Sequence, residues 1–376
     1  MKVAIKTLGC KVNQAESDIL ATTFSREGVE VVSFGEEADL YIVNSCAVTK
    51  EAENKTRQMV NRILRNNLAP RVILTGCYAR LISQERKNPF KEPVFLLPSF
   101  PKEREILNLV EKWWGKKFPL AEYPLPPRAR AWIKVEDGCD HFCSYCLIPH
   151  LRGEVRSEEK EKIIRQAQAL EREGIREIVL CGINLGYYGK DKEGESLITL
   201  LRELLDNTSV VRFRLSSIEP FLVDEEFIER YFSLPDRVCP HFHLPLQSGS
   251  DRILKSMRRG YDAAHYRALV STLRRYSPQV AISTDIIVGF PGEEKEDFEN
   301  TVSFAQEIGF SRTHVFVFSP RPGTPAFLWE KERGIPKTEK KNREKILREV
   351  ARENQRKYHH LFLGKKLKVL VESAQK

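Results

Sequence analysis

The stretch WIKVEDGCDHFCSYC, from Trp132 to Cys146, sets a strand-like alternation directly before a C-x₃-C-x₂-C run made of Cys139, Cys143 and Cys146. Three thiolates are one short of closing a tetrahedral metal site or a cubane iron–sulfur cluster. Such a set leaves one metal position open to a ligand that is not protein. The strand matters as much as the cysteines. Five more strand-like segments follow, REIVLCG, VRFRLSS, HFHLPLQ, VAISTDIIVGF and RTHVFVF, with helical stretches such as EEKEKIIRQAQALEREG and EKEDFENTVSFAQEIG between them. Six βα units over about 190 residues fall short of an eight-fold barrel, for which roughly 250 residues are typical. The expected fold is an open, partial (β/α)₆ barrel of the TIM type. Its reactive rim lies at the carboxyl ends of the strands, where the cysteine loop leaves the first of them.

The preceding segment alternates in the same way. VAIKTL, DLYIVNS, VILTG and VFLL read as strands; SDILATTFSREG, KEAENKTRQMVNRILRNN and REILNLVEKWW read as helices. This α/β pattern predicts an open parallel sheet with helices on both faces. Cys10, Cys46 and Cys77 each follow one of the first three strands. Ligands of open α/β sheets bind along the carboxyl edge, so three cysteines far apart in sequence are expected to meet there. Gly9, Ser45 and Gly76 precede them and let the backbone approach closely. A basic, proline-rich stretch without period follows. Beyond the barrel, residues 336–366 hold eleven Lys and Arg against four Asp and Glu, at helical spacing. The expected division is an N-terminal domain at 1–116, a linker at 117–130, the barrel at 131–335, a basic helical extension at 336–364, and from 365 the start of a further module. That module opens on a strand, KLKVLVE, with no partner after it, which reads as an unfinished domain.

Composition narrows the function classes. Among the 376 residues no apolar run approaches a membrane span. MKVAIKTLGC lacks the apolar core and cleavage site of a signal peptide. The expected setting is the cytoplasm, where eight cysteines argue for metal or redox chemistry over disulfides. A net charge of +9 fits a polyanionic partner, and equally a lysine-rich solvated surface.

The C-x₃-C-x₂-C run resembles the signature of radical S-adenosylmethionine (SAM) enzymes. The resemblance implies a [4Fe–4S] cluster on Cys139, Cys143 and Cys146, with SAM chelated by the unligated iron and cleaved to a 5′-deoxyadenosyl radical. TLGCKVNQAES, IVNSCAVTKEAENKTRQ and LTGCYAR resemble the N-terminal domain of methylthiotransferases. In that family the matching cysteines, here Cys10, Cys46 and Cys77, hold an auxiliary [4Fe–4S] cluster that carries the sulfur. TLGCKVNQ, NSCAVT and HVFVFSPRPGTPA are similar to the MtaB group. That group converts N6-threonylcarbamoyladenosine, just 3′ of the tRNA anticodon, to its 2-methylthio derivative. The implied cofactors are two [4Fe–4S] clusters and SAM, two molecules per turnover. The implied partners are the tRNA anticodon loop, a reductant such as flavodoxin or ferredoxin, and a sulfur donor, with no membrane. The family ends in an RNA-binding β-barrel called TRAM, whose first strand LGKKLKVLVESAQK resembles.

By the same resemblance Asn184 stands where the superfamily holds the methionine amino group. Tyr145, Ser216, Glu219, Gln247 and Asp285 lie at or beside carboxyl ends of barrel strands and complete the expected SAM contacts. Arg259 is available to a carboxylate or a phosphate. No catalytic side chain is expected beyond the cluster-bound cofactors, because the C2–H of adenine offers a general base no acidic proton. Cys181 and Cys239 read as core, His241 and His243 as structural. Two other readings compete. One is a methylthiotransferase for another tRNA adenosine or a ribosomal protein side chain. The other is a zinc-stabilised RNA-binding protein in which His141 or His150 joins the compact cysteines.

Overall fold

The computed structural model describes residues 1–66, 71–90, 93–126 and 128–372. Asn67 of the expected second helix, Pro127 of the linker and residues 373–376 of the last module lie outside them. The N-terminal segment runs β1 (Lys2–Thr7), α1 (Lys11–Arg26), β2 (Glu30–Val32), β3 (Leu40–Ser45), α2 (Lys50–Asn66), β4 (Arg71–Gly76), α3 (Cys77–Gln84), β5 (Val94–Leu97) and α4 (Glu103–Trp114). The strands form one parallel sheet in the order β2-β1-β3-β4-β5. Alternate side chains leave its two faces. Tyr41, Val43, Val72 and Leu74 pack under Val60, Ile63 and Tyr78 of α2 and α3. Val3, Leu40, Ile42 and Ile73 pack under Leu20, Phe24, Ile106 and Val110 of α1 and α4.

Two expectations for this sheet need correction. Glu30–Val32 is a fifth strand that the alternation does not reveal; it is short, at the edge, and largely exposed. α1 begins at Lys11 and not at Ser17, because its first turns bury Asn13, Glu16 and Ser17. Buried polar residues break the apolar stripe by which a helix is recognised.

The second segment runs β6 (Arg130–Lys134), β7 (Glu136–Asp137), α5 (Ile148–Arg152), β8 (Arg156–Ser157), α6 (Lys160–Arg172), β9 (Glu177–Cys181), α7 (Leu197–Asn207), β10 (Arg212–Leu215), α8 (Glu225–Phe232), β11 (His241–His243), α9 (Asp251–Met257), α10 (Ala263–Tyr276), β12 (Ala281–Val288), α11 (Lys295–Ile308), β13 (Arg312–Val317), α12 (Pro325–Arg333) and α13 (Lys337–His360). β6, β9, β10, β11, β12 and β13 are the six expected barrel strands. They pair in parallel as β10-β9-β6 and β11-β12-β13. Parallel bridges Phe213↔Val238 and Ser217↔His243 join the two halves. β6 and β13 are left as the edges of an open barrel, and α1 packs along β6 through Val12 and Ala15 against Trp132 and Cys181. β7 and β8 form a small antiparallel ribbon across the cysteine loop.

The expected strand KLKVLVE is absent: residues 366–372 have no regular structure. They pair with no strand among the described residues, and Leu367, Val369 and Val371 stand exposed. A strand without a partner has no ladder to hold it extended. Among the described residues no helix is long and apolar enough to cross a membrane.

Gly76, the residue before Cys77, has φ +88°, and a Cβ there would lie 2.4 Å from Ser45 O. Gly76→Ala is expected to cost at least about 1–3 kcal/mol. Urea denaturation will read this as a lower midpoint at unchanged slope.

Candidate active site

β1, β3 and β4 are neighbours in the sheet, and Cys10, Cys46 and Cys77 leave their carboxyl ends. The registers Thr7↔Asn44 and Ser45↔Gly76 bring the three turns level. A Cβ on Gly9 would stand 3.1 Å from Cys46 Sγ. Two side chains lace the turns together. Asn13 Nδ2 donates to Leu8 O (2.9 Å) and Ser45 O (3.1 Å), and Ser45 Oγ donates to Thr75 O (2.5 Å). The structure thus brings the dispersed cysteines to one place, Cys46 and Cys77 buried and Cys10 exposed. Burial pushes the Cys46 thiol up to about 12, and the nearby Cys77 and Cys10 add to the rise.

The compact trio lies in the loop between β7 and α5. Cys139 N–H donates to Gly153 O (3.0 Å), and Gly138 at φ +92° has no space for a Cβ, which would meet Glu154 O at 1.9 Å. Backbone N–H groups aim at sulfur: His141 at Cys139 (3.4 Å), Ile148 at Cys146 (3.4 Å) and, in the other trio, Val48 at Cys46 (3.5 Å). Such bonds tune thiolate ligands and any cluster they hold. Burial raises all three compact thiols, Cys139 to about 12.

The donor chemistry suits a polynuclear iron–sulfur group: three soft thiols in each set. The zinc reading needs His141 or His150 as a fourth ligand. His141 packs instead on Phe221 and His150 on Phe142.

Tyr145, Glu219 and Arg259 meet beside Cys143. Buried Arg259 donates from Nη1 to Cys143 Sγ (3.0 Å) and Tyr145 Oη (3.4 Å), and from Nη2 to Glu219. Tyr145, Gln247 and Asp285 share the wall of a cavity of about 180 Å³ with Cys146. The facing wall is Ala47, Val48 and Thr49, the turn immediately after Cys46. Gln247 holds φ +68°, pinned by its N–H to Asp285 O (2.8 Å) and by Ile287 N–H to its own carbonyl (2.9 Å). Backbone strain of this kind persists only where the surroundings enforce it.

Asn184 and Ser216 do not line this cavity. They are buried just past β9 and β10, and neither the Asn184 side-chain amide nor Ser216 Oγ has a hydrogen-bond partner among the described residues. Orphaned buried groups cost about 1–3 kcal/mol each, so they suit a polar ligand. His243 bonds Ser283 Oγ (2.9 Å) and lies 3.3 Å from Asp285, and His241 Nε2 is 3.2 Å from Ser283 Oγ, so both are held structurally. Cys181 and Cys239 are buried.

Glu136, Asn13 and Arg152 belong to the site without having been expected there. Glu136 accepts the Asn184 backbone N–H (2.8 Å), and its other oxygen is buried without a partner among the described residues. Burial pushes its carboxyl up to about 9, so it is neutral at pH 7. The one sequence signal was an acid between the apolar strand and the cysteine loop.

The family described as Radical SAM superfamily matches residues 133–305, and the family described as Uncharacterized protein family UPF0004 matches residues 2–96. The fold is shared with the radical SAM methyltransferase TsrM of Kitasatospora setae, solved with cobalamin and a [4Fe–4S] cluster bound. The TM-score is 0.60 at 18% identity, over 88% of this chain and 78% of that one. Fold and cysteine sets together define a radical SAM protein with a second α/β domain before its barrel. Among curated relatives, the threonylcarbamoyladenosine tRNA methylthiotransferase MtaB of Thermotoga maritima is 41% identical over 98% of this chain and 86% of its own length. The tRNA-2-methylthio-N6-dimethylallyladenosine synthase of Dictyoglomus thermophilum is 36% identical over 88% and 78%. The chain belongs to the radical SAM methylthiotransferase family, with SAM and [4Fe–4S] clusters as its cofactors.

Folded Glu136 keeps its proton to about pH 9, against 4.5 when unperturbed. The folded state then binds the extra proton between those values, so stability falls as pH rises through the window. Thermal unfolding of the metal-free protein is expected to show a smaller loss of Tm across this window in Glu136→Gln.

Proposed function

We propose that the chain methylthiolates C2 of N6-threonylcarbamoyladenosine in tRNA, with one [4Fe–4S] cluster on Cys139, Cys143 and Cys146 in the domain at 131–335, and a second on Cys10, Cys46 and Cys77 in the domain at 1–116. The observation that carries this is the single cavity walled by Cys146 on one side and by the turn after Cys46 on the other. When bound, the clusters and SAM supply the radical and sulfur chemistry that no side chain here offers. The chain's own work is placement and exclusion. Leu147, Leu151, Ile287, Val317 and Phe318 give the cavity apolar walls that keep water out. Gln247 and Asp285 supply polar contacts. Phe316 and Val48, both exposed, border it and offer stacking and apolar surface to an unstacked base. Tyr145, Glu219, Arg259, Asn184 and Ser216 are assigned to SAM, with neutral Glu136 orienting the Asn184 turn.

The RNA strand is assigned to the groove between β13 and α13. Arg312, His314, Arg348 and Arg352 line it, Arg348 paired with Glu344 (2.7 Å), and Phe316 belongs to both groove and cavity. Basic side chains there position phosphates without reading sequence. The reading brings with it the anticodon loop as substrate, flavodoxin or ferredoxin as reductant, a sulfur donor and a cytoplasmic setting.

Nucleoside mass spectrometry of tRNA from a strain lacking the protein is expected to show the 2-methylthio nucleoside lost and N6-threonylcarbamoyladenosine accumulating. An unchanged 2-methylthio level overturns the assignment, and loss of a dimethylallyl product instead moves it to another adenosine. Cys143→Ala is expected to abolish SAM cleavage. Cys46→Ala is expected to keep SAM cleavage and stop methylthio transfer. In salt titrations, Arg312→Glu with Arg352→Glu is expected to weaken tRNA binding and flatten the log–log slope by roughly 2.

A further inference from the structure

α5 starts directly after the compact cysteine run and ends on Arg152, whose side chain is buried. Its guanidinium reaches in two directions. Nη1 donates to Asp137 Oδ1 (2.8 Å) and to Glu16 Oε1 (3.2 Å). Asp137 Oδ1 also accepts the Gly138 N–H (2.9 Å), immediately before Cys139. On the other side Nη2 donates to Asn13 Oδ1 (2.5 Å). Asn13 is the residue whose amide laces the turns of Cys10 and Cys46, and its Oδ1 lies 3.9 Å from Cys10 Sγ. One side chain is thus fixed by covalent chain to Cys146, by one hydrogen bond to the approach to Cys139, and by another to the residue that holds Cys10 and Cys46 in place.

The anchorage is stiff. The ring of Phe100 lies 4.5 Å from the guanidinium carbon. Glu16 is held in turn by Lys102 (2.5 Å) and Lys134 (3.5 Å), and Lys102 donates to Asn44 Oδ1 (2.7 Å) at the end of β3. Burial opposes the Arg152 charge, but Glu16 and Asp137 more than offset it and keep the group protonated. A planar fork with fixed donor directions transmits position in a way that a lysine ammonium does not.

We propose that Arg152 is a positioning residue whose guanidinium sets the separation and orientation of the two cysteine trios, and so couples SAM cleavage at one to methylthio transfer at the other. The proposal rests on the reading above that each trio holds a cluster. Misplacement on the ångström scale between reacting groups costs up to about a hundredfold in rate, while each site alone stays intact.

The test uses the full chain, reconstituted anaerobically with iron and sulfide, as wild type, Arg152→Gln, Arg152→Lys and Asn13→Ala. Asn13→Ala leaves the Arg152 pairs to Glu16 and Asp137 in place but also removes the Asn13 bonds to Leu8 O and Ser45 O, so if Arg152→Gln does not fold it serves through an unchanged result, which overturns the proposal. Iron content tests the underlying reading: two clusters give about eight irons per wild-type chain. A wild-type chain with four irons removes that reading and the inference together. With eight in wild type and variants, two measurements test the inference alone. The ratio of 5′-deoxyadenosine released to methylthio product formed is expected to rise about tenfold or more in Arg152→Gln, less in Arg152→Lys and Asn13→Ala. The magnetic interaction between the two reduced clusters, read by electron paramagnetic resonance, is expected to change in the same order. Wild-type values of both in a folded Arg152→Gln, or in Asn13→Ala where Arg152→Gln does not fold, would overturn the proposal even if Tm had dropped, because Arg152 would then be structural only.

Discussion

Parallel pairing is the constraint on which the rest depends. A parallel strand must be fed by a crossover, so every strand in a parallel array ends on the same side. In the N-terminal sheet this puts the ends of β1, β3 and β4 in one row, though their cysteines are dispersed in sequence. In the barrel it puts the cysteine loop, Asn184, Ser216, Gln247 and the end of β12 on one rim. The two edges face each other across a cavity walled from both sides. Sheet topology alone brings the three dispersed cysteines level, and one loop carries the compact three.

That joint is polar at its centre. Glu16, Asp137, Lys102 and Arg152 are buried together with half-buried Lys134, three cations around two carboxylates. Burial opposes ionisation of Glu16, yet Lys102, Arg152 and Lys134 hold its carboxyl well below the usual range. A buried ionic network is a weak source of stability, since desolvation cancels much of its attraction. Its value lies in specificity: each charge has one arrangement in which it is satisfied, whereas apolar surfaces slide.

Much of this was legible in the sequence, and the reasons are local. Cysteine spacing and βα alternation are short-range patterns, so the six barrel strands and both thiol sets could be read from one chain. Tyr145, Glu219 and Arg259 were foreseen singly; that they form one hydrogen-bonded group beside Cys143 was not. β2 escaped because three half-exposed edge residues carry no period. KLKVLVE was misread because β-propensity describes a surface that needs a partner, and these residues have none described. Glu136, Asn13 and Arg152 were invisible for another reason. Each is an ordinary polar residue whose role comes from partners distant in sequence.

The open barrel edge has a consequence for heredity. α1 supplies the wall that β6 lacks, and Glu16 on that helix neutralises Lys134 and Arg152 from the barrel side. Neither half is therefore a portable module. A gene fusion that grafted a foreign leading domain onto this barrel would leave Lys134 and Arg152 with Asp137 as their shared carboxylate and would uncover Trp132. The two halves are matched as a couple, each carrying the other's missing piece.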